Sequence, residues 1–196
     1  VFAFWLVRPY REAGLAVATV RAGAAYERSG TDSFAIAPGS SADHDCLIAA
    51  LAADGRTPRA IVHLWSLTGE TARMPALDTV DALQELGFYS LLNLARAIGR
   101  ADLADPMRWL VVSDHVHSVA GEPGLLPAKA TLLGPCRVIP REFEHIDCAC
   151  VDVQLPPRGS WHEGRLIQYL HAELAAPQKD ETLAWRGGQR WVQRFE

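Results

Sequence analysis

Two short runs of consecutive apolar residues constrain this chain more than anything else in it. Arg59-Ala-Ile-Val-His-Leu-Trp65 and Arg108-Trp-Leu-Val-Val-Ser113 are rich in β-branched and aromatic residues and are closed by turn residues, so they are predicted to be strands. A strand that is apolar at successive positions needs cover on both faces, as in a parallel sheet with a helix layer on each side. Leu15–Val20 and Cys148–Val153 read as weaker strands of the same set, and Val1–Val7 and Ser33–Ala37 as two more. Helical segments separate them. Pro38-Gly-Ser-Ser leads into Ala42–Ala53, where a serine caps the free N–H groups, Leu47, Ile48 and Leu51 share a face, and Gly55 follows the end. A long helix is expected from about Pro75 to Ile98, with Gly99 placed to stop it and Gly87 either weakening it or admitting a close neighbour. Leu126–Phe143 has helical character interrupted by Pro135 and Pro140, and Trp161–Ala175 is a further amphipathic helix.

Strands alternating with such helices predict βαβ connections and a mostly parallel sheet. At the end of the chain Gly187-Gly188 stands between two alternating runs, 181–186 and 189–195, which marks a hairpin. There is no internal repeat and no low-complexity linker, so residues 1–196 are expected to form one domain. A chain of 196 residues can bury roughly 70% of the surface it exposes when unfolded, enough for a core without disulfide or metal staples.

Charge narrows the function classes. Nineteen Lys and Arg against 23 Asp and Glu leave a formal net charge of −4, without the basic footprint of a nucleic-acid binder or a polybasic membrane anchor. No apolar run approaches the ~18–20 residues that span a bilayer. The N-terminus lacks the layout of a signal peptide. Cys46, Cys136, Cys148 and Cys150 are not spaced as a disulfide framework. The expectation is a cytoplasmic α/β domain.

A parallel α/β sheet raises the question of a nucleotide cofactor. Dinucleotide turns need clustered glycines after a strand, so that the backbone can approach a pyrophosphate at a helix N-terminus. None of the 15 glycines forms such a pattern, nor a P-loop. A short-chain reductase site needs a serine at a strand end and a tyrosine with a lysine four residues on, where the lysine lowers the tyrosine pKa. Tyr10, Tyr26, Tyr89 and Tyr169 are followed at that spacing by Gly14, Gly30, Asn93 and Glu173. Ser113 does close an apolar strand, but thirteen residues later stands Leu126, followed by Pro127.

Ser113-Asp114-His115-Val116-His117 is the one tempting polar cluster. His-x-His on a strand could present two imidazoles to a metal with Asp114 as a third ligand; the plainer reading is a strand-end loop. Cys148-x-Cys150 falls in a strand and reads as core packing, not zinc or redox chemistry. No serine lies in a G-x-S-x-G elbow. His63 and Trp65 share a strand face and are expected to pack beneath a helix, and Arg137, Arg141 and Glu142 form a charged face. No catalytic, cofactor-binding or metal-ligating residue is expected in this chain.

Several stretches go beyond fold class. Ile61–Thr68 (IVHLWSLT), Gly87–Ala97 (GFYSLLNLARA), Trp109–Ser113 with Ala120–Pro123, Leu125–Glu142 (LLPAKATLLGPCRVIPRE) and Cys148–Val153 together resemble the N-terminal structural subdomain of ketoreductases in modular type I polyketide synthases. The resemblance runs in order over nearly the whole chain. It implies a truncated Rossmann-like, short-chain dehydrogenase/reductase-like α/β fold with a C-terminal hairpin, one that lacks cofactor and catalytic residues. It further implies a catalytic half in the same polypeptide. That half would bind NADPH and reduce β-ketoacyl groups on acyl carrier protein, beside neighbouring synthase domains. The chain departs from the family near its start, where residues 5–14, with Pro9, leave little room for the usual first helix. Two other readings remain open: a complete small oxidoreductase with an unrecognised cofactor mode, and a structural remnant in a non-reducing module. The terminal hairpin, with Trp185, Trp191 and Phe195 among Arg186, Arg190 and Arg194, is the expected docking surface for a catalytic half.

Overall fold

The computed structural model describes residues 2–69, 77–119, 121–176 and 182–194, the side chains of residues 2–5, 77 and 78 excepted. In chain order the elements are α1 (Phe2–Glu12), β1 (Thr19–Ala22), β2 (Glu27–Arg28), β3 (Ser33–Ile36), α2 (Ser41–Ala53), β4 (Ala60–Ser66) and α3 (Leu77–Gln84). They continue with α4 (Ser90–Arg100), β5 (Met107–Ser113), α5 (Leu133–Glu142), β6 (Ile146–Val153), α6 (Trp161–Ala175), β7 (Thr182–Arg186) and β8 (Gln189–Val192). One sheet has the order β4-β5-β6-β7-β8, parallel except for the antiparallel β7–β8 hairpin. A smaller sheet has the order β1-β3-β2, with β1 and β3 parallel.

The continuous apolar strands are buried from both sides. Trp109, Val111, Cys148 and Cys150 face α4 and α5 in one cluster, joined by Leu91, Ile98 and Ile139. Leu110, Val112, Ala149 and Val151 face the other way, against Leu166 and Leu170 of α6 and Leu6 of α1. At ~25 cal/mol per Å² this two-sided burial is the main stabilising term of the fold. A third cluster joins Phe34, Ile36, Leu47 and Leu51, with Trp65 of β4 packed against it. Cys136, Cys148 and Cys150 are buried free thiols, as core packing requires, and hydrogen bonding to the other two sulfurs followed by burial raises the Cys136 pKa.

The local signals of α2 and α6 hold. Ser40 Oγ accepts from Asp43 N and Ser160 Oγ from Glu163 N, capping both helices, and the second helix begins at Trp161 as expected. The hairpin turns at Gly187 and Gly188, with φ of 53° and 82°. Elsewhere the structure differs from expectation. The strand expected over Val1–Val7 is not found: Val1 lies outside the described residues, and from Phe2 the chain is helix α1 despite Pro9. Tertiary contact overrides the strand-forming composition: Leu6 is buried against α6, and His171 Nε2 donates to the Leu6 carbonyl at 2.8 Å. The strand expected over Leu15–Val20 starts only at Thr19. The long helix, whose expected start at Pro75 is not among the described residues, passes through a π-turn at Glu85–Tyr89 and runs on through Gly99 to Arg100. Gly99 is a packing position, since a Cβ there would lie 2.8 Å from the Phe143 ring. Gly87 admits a close neighbour, with Ser66 Oγ 3.2 Å from where its Cβ would be. Pro135 falls in the first turn of α5, where no N–H is needed, and only Pro140 sits in the helix interior.

Candidate functional site

In doubly wound sheets ligands bind outside the carboxyl ends of the parallel strands. In this protein that edge is made by the residues following β4, β5, β6 and β7, and it is filled by two buried charge networks.

The first lies over β4 and β5. Lys129, in a 3-10 turn at Pro127–Leu132, is 3% exposed, and its ammonium donates to Ser66 O at 2.8 Å, Thr68 Oγ1 at 2.7 Å, Asp114 O at 3.1 Å and the Asp114 carboxylate. That carboxylate also accepts from the Gly69 N–H at 2.6 Å and the Thr68 N–H at 3.1 Å. Burial pulls the Lys129 pKa below the usual lysine value, while the hydrogen bond and charge of Asp114 oppose that shift. Every proton of the ammonium has an acceptor, so Lys129 ties the ends of two strands together.

The second network lies over β6 and β7. Arg186 Nη2 donates to Asp152 Oδ2 at 2.6 Å and to His117 O at 2.8 Å, and its Nη1 donates to Asp152 O and Trp185 O. Its Nε donates to Glu122. All five guanidinium protons are thus taken. Asp152 accepts in addition from the N–H groups of Val116 and His117, so it pins the loop that follows β5.

The structure scatters the Ser113–His117 cluster. Ser113 is fully buried, its hydroxyl 3.4 Å from Ser66 O, so no substrate carbonyl can reach it. Asp114 belongs to Lys129. His115 takes a left-handed backbone with φ of 61°, and its Nε2 stands 3.9 Å from Asp114. His117 lines a cleft of about 220 Å³ with Thr182, Ala184 and Trp191, below the ~300–1,000 Å³ usual for ligand pockets. Burial lowers the His117 pKa. Among the described residues no group of three or more His, Cys, Asp or Glu could hold a metal ion.

The N-terminal turns of α2 and α6 already hold their own carboxylates: Asp43 accepts from Ala37 N–H at 2.9 Å, and Glu163 from Gly159 N–H at 2.7 Å. An incoming phosphate would meet negative charge at both.

Lys129, Asp152 and Arg186 escaped sequence reasoning. A lone lysine in an apolar segment was the available signal for the first. Arg186, expected at a docking surface, is instead only 9% exposed. Trp185 likewise serves this domain's own packing, stacking on Tyr169 at 4.1 Å between centroids and donating to Glu173. Trp191 is 43% exposed, as a docking residue would be, and Phe195 is not among the described residues. His63 packs beneath the π-turn as expected. Ser90 donates to Leu86 O at 2.7 Å, so His63 Nε2–H donates to Ser90 Oγ at 2.9 Å and Nδ1 is left without a partner. Burial, with His44 nearby, pushes the His63 pKa down to about 4. No helix among the described residues is long and apolar enough to cross a membrane.

Comparison with solved structures gives the same architecture. A multidomain structure with the adenylation, ketoreductase and pseudo Asub domains of a keto acid-selecting NRPS module matches 97% of this chain at a TM-score of 0.87 and 25% identity. The N-terminal ketoreductase of a macrolactin assembly line matches all of it at 0.76 and 15% identity. The chain spans 15% and 38% of those two chains. A short-chain dehydrogenase/reductase from Serratia marcescens has the fold at a TM-score of 0.62 and 21% identity, over 95% of this chain and 91% of its own. No curated protein matches. The family model described as beta-ketoacyl synthase-like, N-terminal, matches residues 7–171, so the chain belongs to that family, and its fold matches the structural subdomain of a modular polyketide synthase ketoreductase.

Proposed function

We propose that residues 1–196 act as a single scaffold domain that carries out no chemistry of its own and supports the catalytic half of a synthase ketoreductase. The observation that carries this reading is the carboxyl edge of the sheet, where Lys129–Asp114 and Arg186–Asp152 occupy the place a ligand would take. The likeness to ketoreductase regions, of whose chains this one spans only a part, supports a place inside a larger module. In this reading the partner half binds NADPH and reduces a β-ketoacyl group carried by an acyl carrier protein, within a cytoplasmic multienzyme. The scaffold contributes buried contact area and rigidity. Titration of the isolated chain with NADPH, followed by cofactor fluorescence, tests the claim. No saturable change up to millimolar NADPH is the expected result; micromolar binding would overturn it in favour of an independent oxidoreductase. Ala replacements of His115 and His117 should leave reductase activity within about tenfold when the catalytic half is present, because neither touches reacting atoms.

A further inference from the structure

Helix α6 reverses the usual order of burial. Its two carboxylates are turned into the protein, Glu163 at 7% exposure and Glu173 at 4%, while Trp161 at its first position is 67% exposed. Inward, Glu163 accepts from the Gly159 N–H, and Glu173 from Trp185 and Arg190. Outward, Trp161, Arg165, Gln168 and Ala172 follow one another at helical spacing and are all exposed, so this face carries no carboxylate. Its aromatic and cationic groups are held in one stack. Tyr169 lies flat on Trp185, with ring centroids 4.1 Å apart and planes 5° from parallel. The Tyr169 hydroxyl accepts from Arg165 Nε at 3.2 Å and from Nη2 at 2.7 Å. The guanidinium carbon then stands 5.4 Å from the Tyr169 ring centre and 5.7 Å from that of Trp161. Those two bonds leave Arg165 Nη1 without an acceptor, and neither Arg165 nor the exposed Arg158 has a carboxylate partner among the described residues. In a chain of net charge −4 this face is cationic.

We propose that the exposed face of α6 is a docking surface for an acidic segment of another protein, one that sets a carboxylate on Arg165 beside an apolar side chain on Trp161. Charge complementarity selects the occupant: the face offers unused guanidinium donors and a bare indole, and no carboxylate to repel an acid. Trp, Tyr and Arg are the side chains that most often anchor interfaces, and a stack already ordered loses little side-chain freedom on binding. The surface is separate from the cleft beside Trp191. Cross-strand partners share a sheet face, so Trp185 and Arg190 lie on the α6 side, and Ala184 and Trp191 on the other.

The test is selection of short random peptides, displayed on phage, against the 196-residue chain. Enriched sequences should pair Asp or Glu with a bulky apolar residue. Their affinity should drop about tenfold or more in Trp161→Ala, and should fall as salt is raised. Gln168→Glu, at an exposed position outside the stack, should weaken them about threefold or more with the melting temperature unchanged. Arg165→Glu should turn the selection toward peptides bearing Lys and Arg, an outcome that loss of folding does not produce. Peptides without acidic residues, no enrichment at all, or affinity indifferent to Gln168→Glu would overturn the proposal. So would Trp161-dependent self-association in sedimentation, or Trp161-dependent binding to vesicles of phosphatidylcholine and phosphatidylserine, because a second copy or a lipid surface would then be the occupant.

Discussion

At the scale of single residues, two buried groups govern how the molecule responds to change. Lys129 and Asp114 satisfy one another at the sheet edge, so removing either leaves a charge buried without its partner. Lys129→Met is expected to lower stability by about 3–5 kcal/mol in urea unfolding, and the double variant Lys129→Met/Asp114→Asn by clearly less. A loss in the double variant equal to the sum of the Lys129→Met and Asp114→Asn losses would mean that the pair is not coupled. His63 contributes to the acid sensitivity of the fold. Its folded-state pKa of about 4 lies below the ordinary value of 6.5, so the unfolded chain binds the extra proton first as pH falls. The His63 contribution is therefore complete above pH 6.5 and is lost between 6.5 and about 4, amounting to about 3 kcal/mol. His44, Ser90 and Trp65 surround the ring and supply no carboxylate to hold an imidazolium. His63→Gln should flatten the pH dependence over that window, read as the difference in unfolding free energy between variant and parent.

At the scale of elements, the hairpin that closes the sheet depends on its turn. Gly188 has φ of 82°, and a Cβ there would sit 3.3 Å from the Tyr169 hydroxyl, so backbone and neighbour both oppose a side chain. Gly188→Ala is expected to cost about 1–2 kcal/mol by thermal or urea unfolding. Gly187→Asn should stay within about 0.5 kcal/mol, because its cradle is open and asparagine tolerates this conformation. The same turn was readable from the Gly-Gly pair alone, as were the caps at Ser40 and Ser160, because each depends on atoms only a few residues apart. Helix α1 was not readable. Phe2–Glu12 contains a proline and residues common in strands, and what makes it helical is its seat on α6 some 160 residues further along.

At the scale of the whole molecule, function depends on which surfaces the domain keeps for itself. The hairpin divides: Trp185 and Arg186 are committed inward, and Trp191 remains half-exposed over the cleft. If that cleft meets the catalytic half, Trp191→Ala should lower this domain's own stability by less than about 1 kcal/mol. It should weaken binding of a separately supplied catalytic half by tenfold or more, measured by calorimetry. Equal losses of stability and binding would assign Trp191 to the core.

The strands β4, β5 and β6, their two-sided cover, the hairpin and the missing phosphate loop were determined by the sequence itself. A run of apolar residues, a glycine pair or an absent motif carries its meaning within a few positions. The tertiary structure alone decided what fills the carboxyl edge. Lys129 and Asp114 are 15 residues apart, and Asp152 and Arg186 are 34 apart. An ion pair becomes structural only when the fold removes both partners from water, and no local pattern records that. The division into two sheets was likewise invisible, since hydrogen bonding across a sheet depends on which strands lie side by side in space.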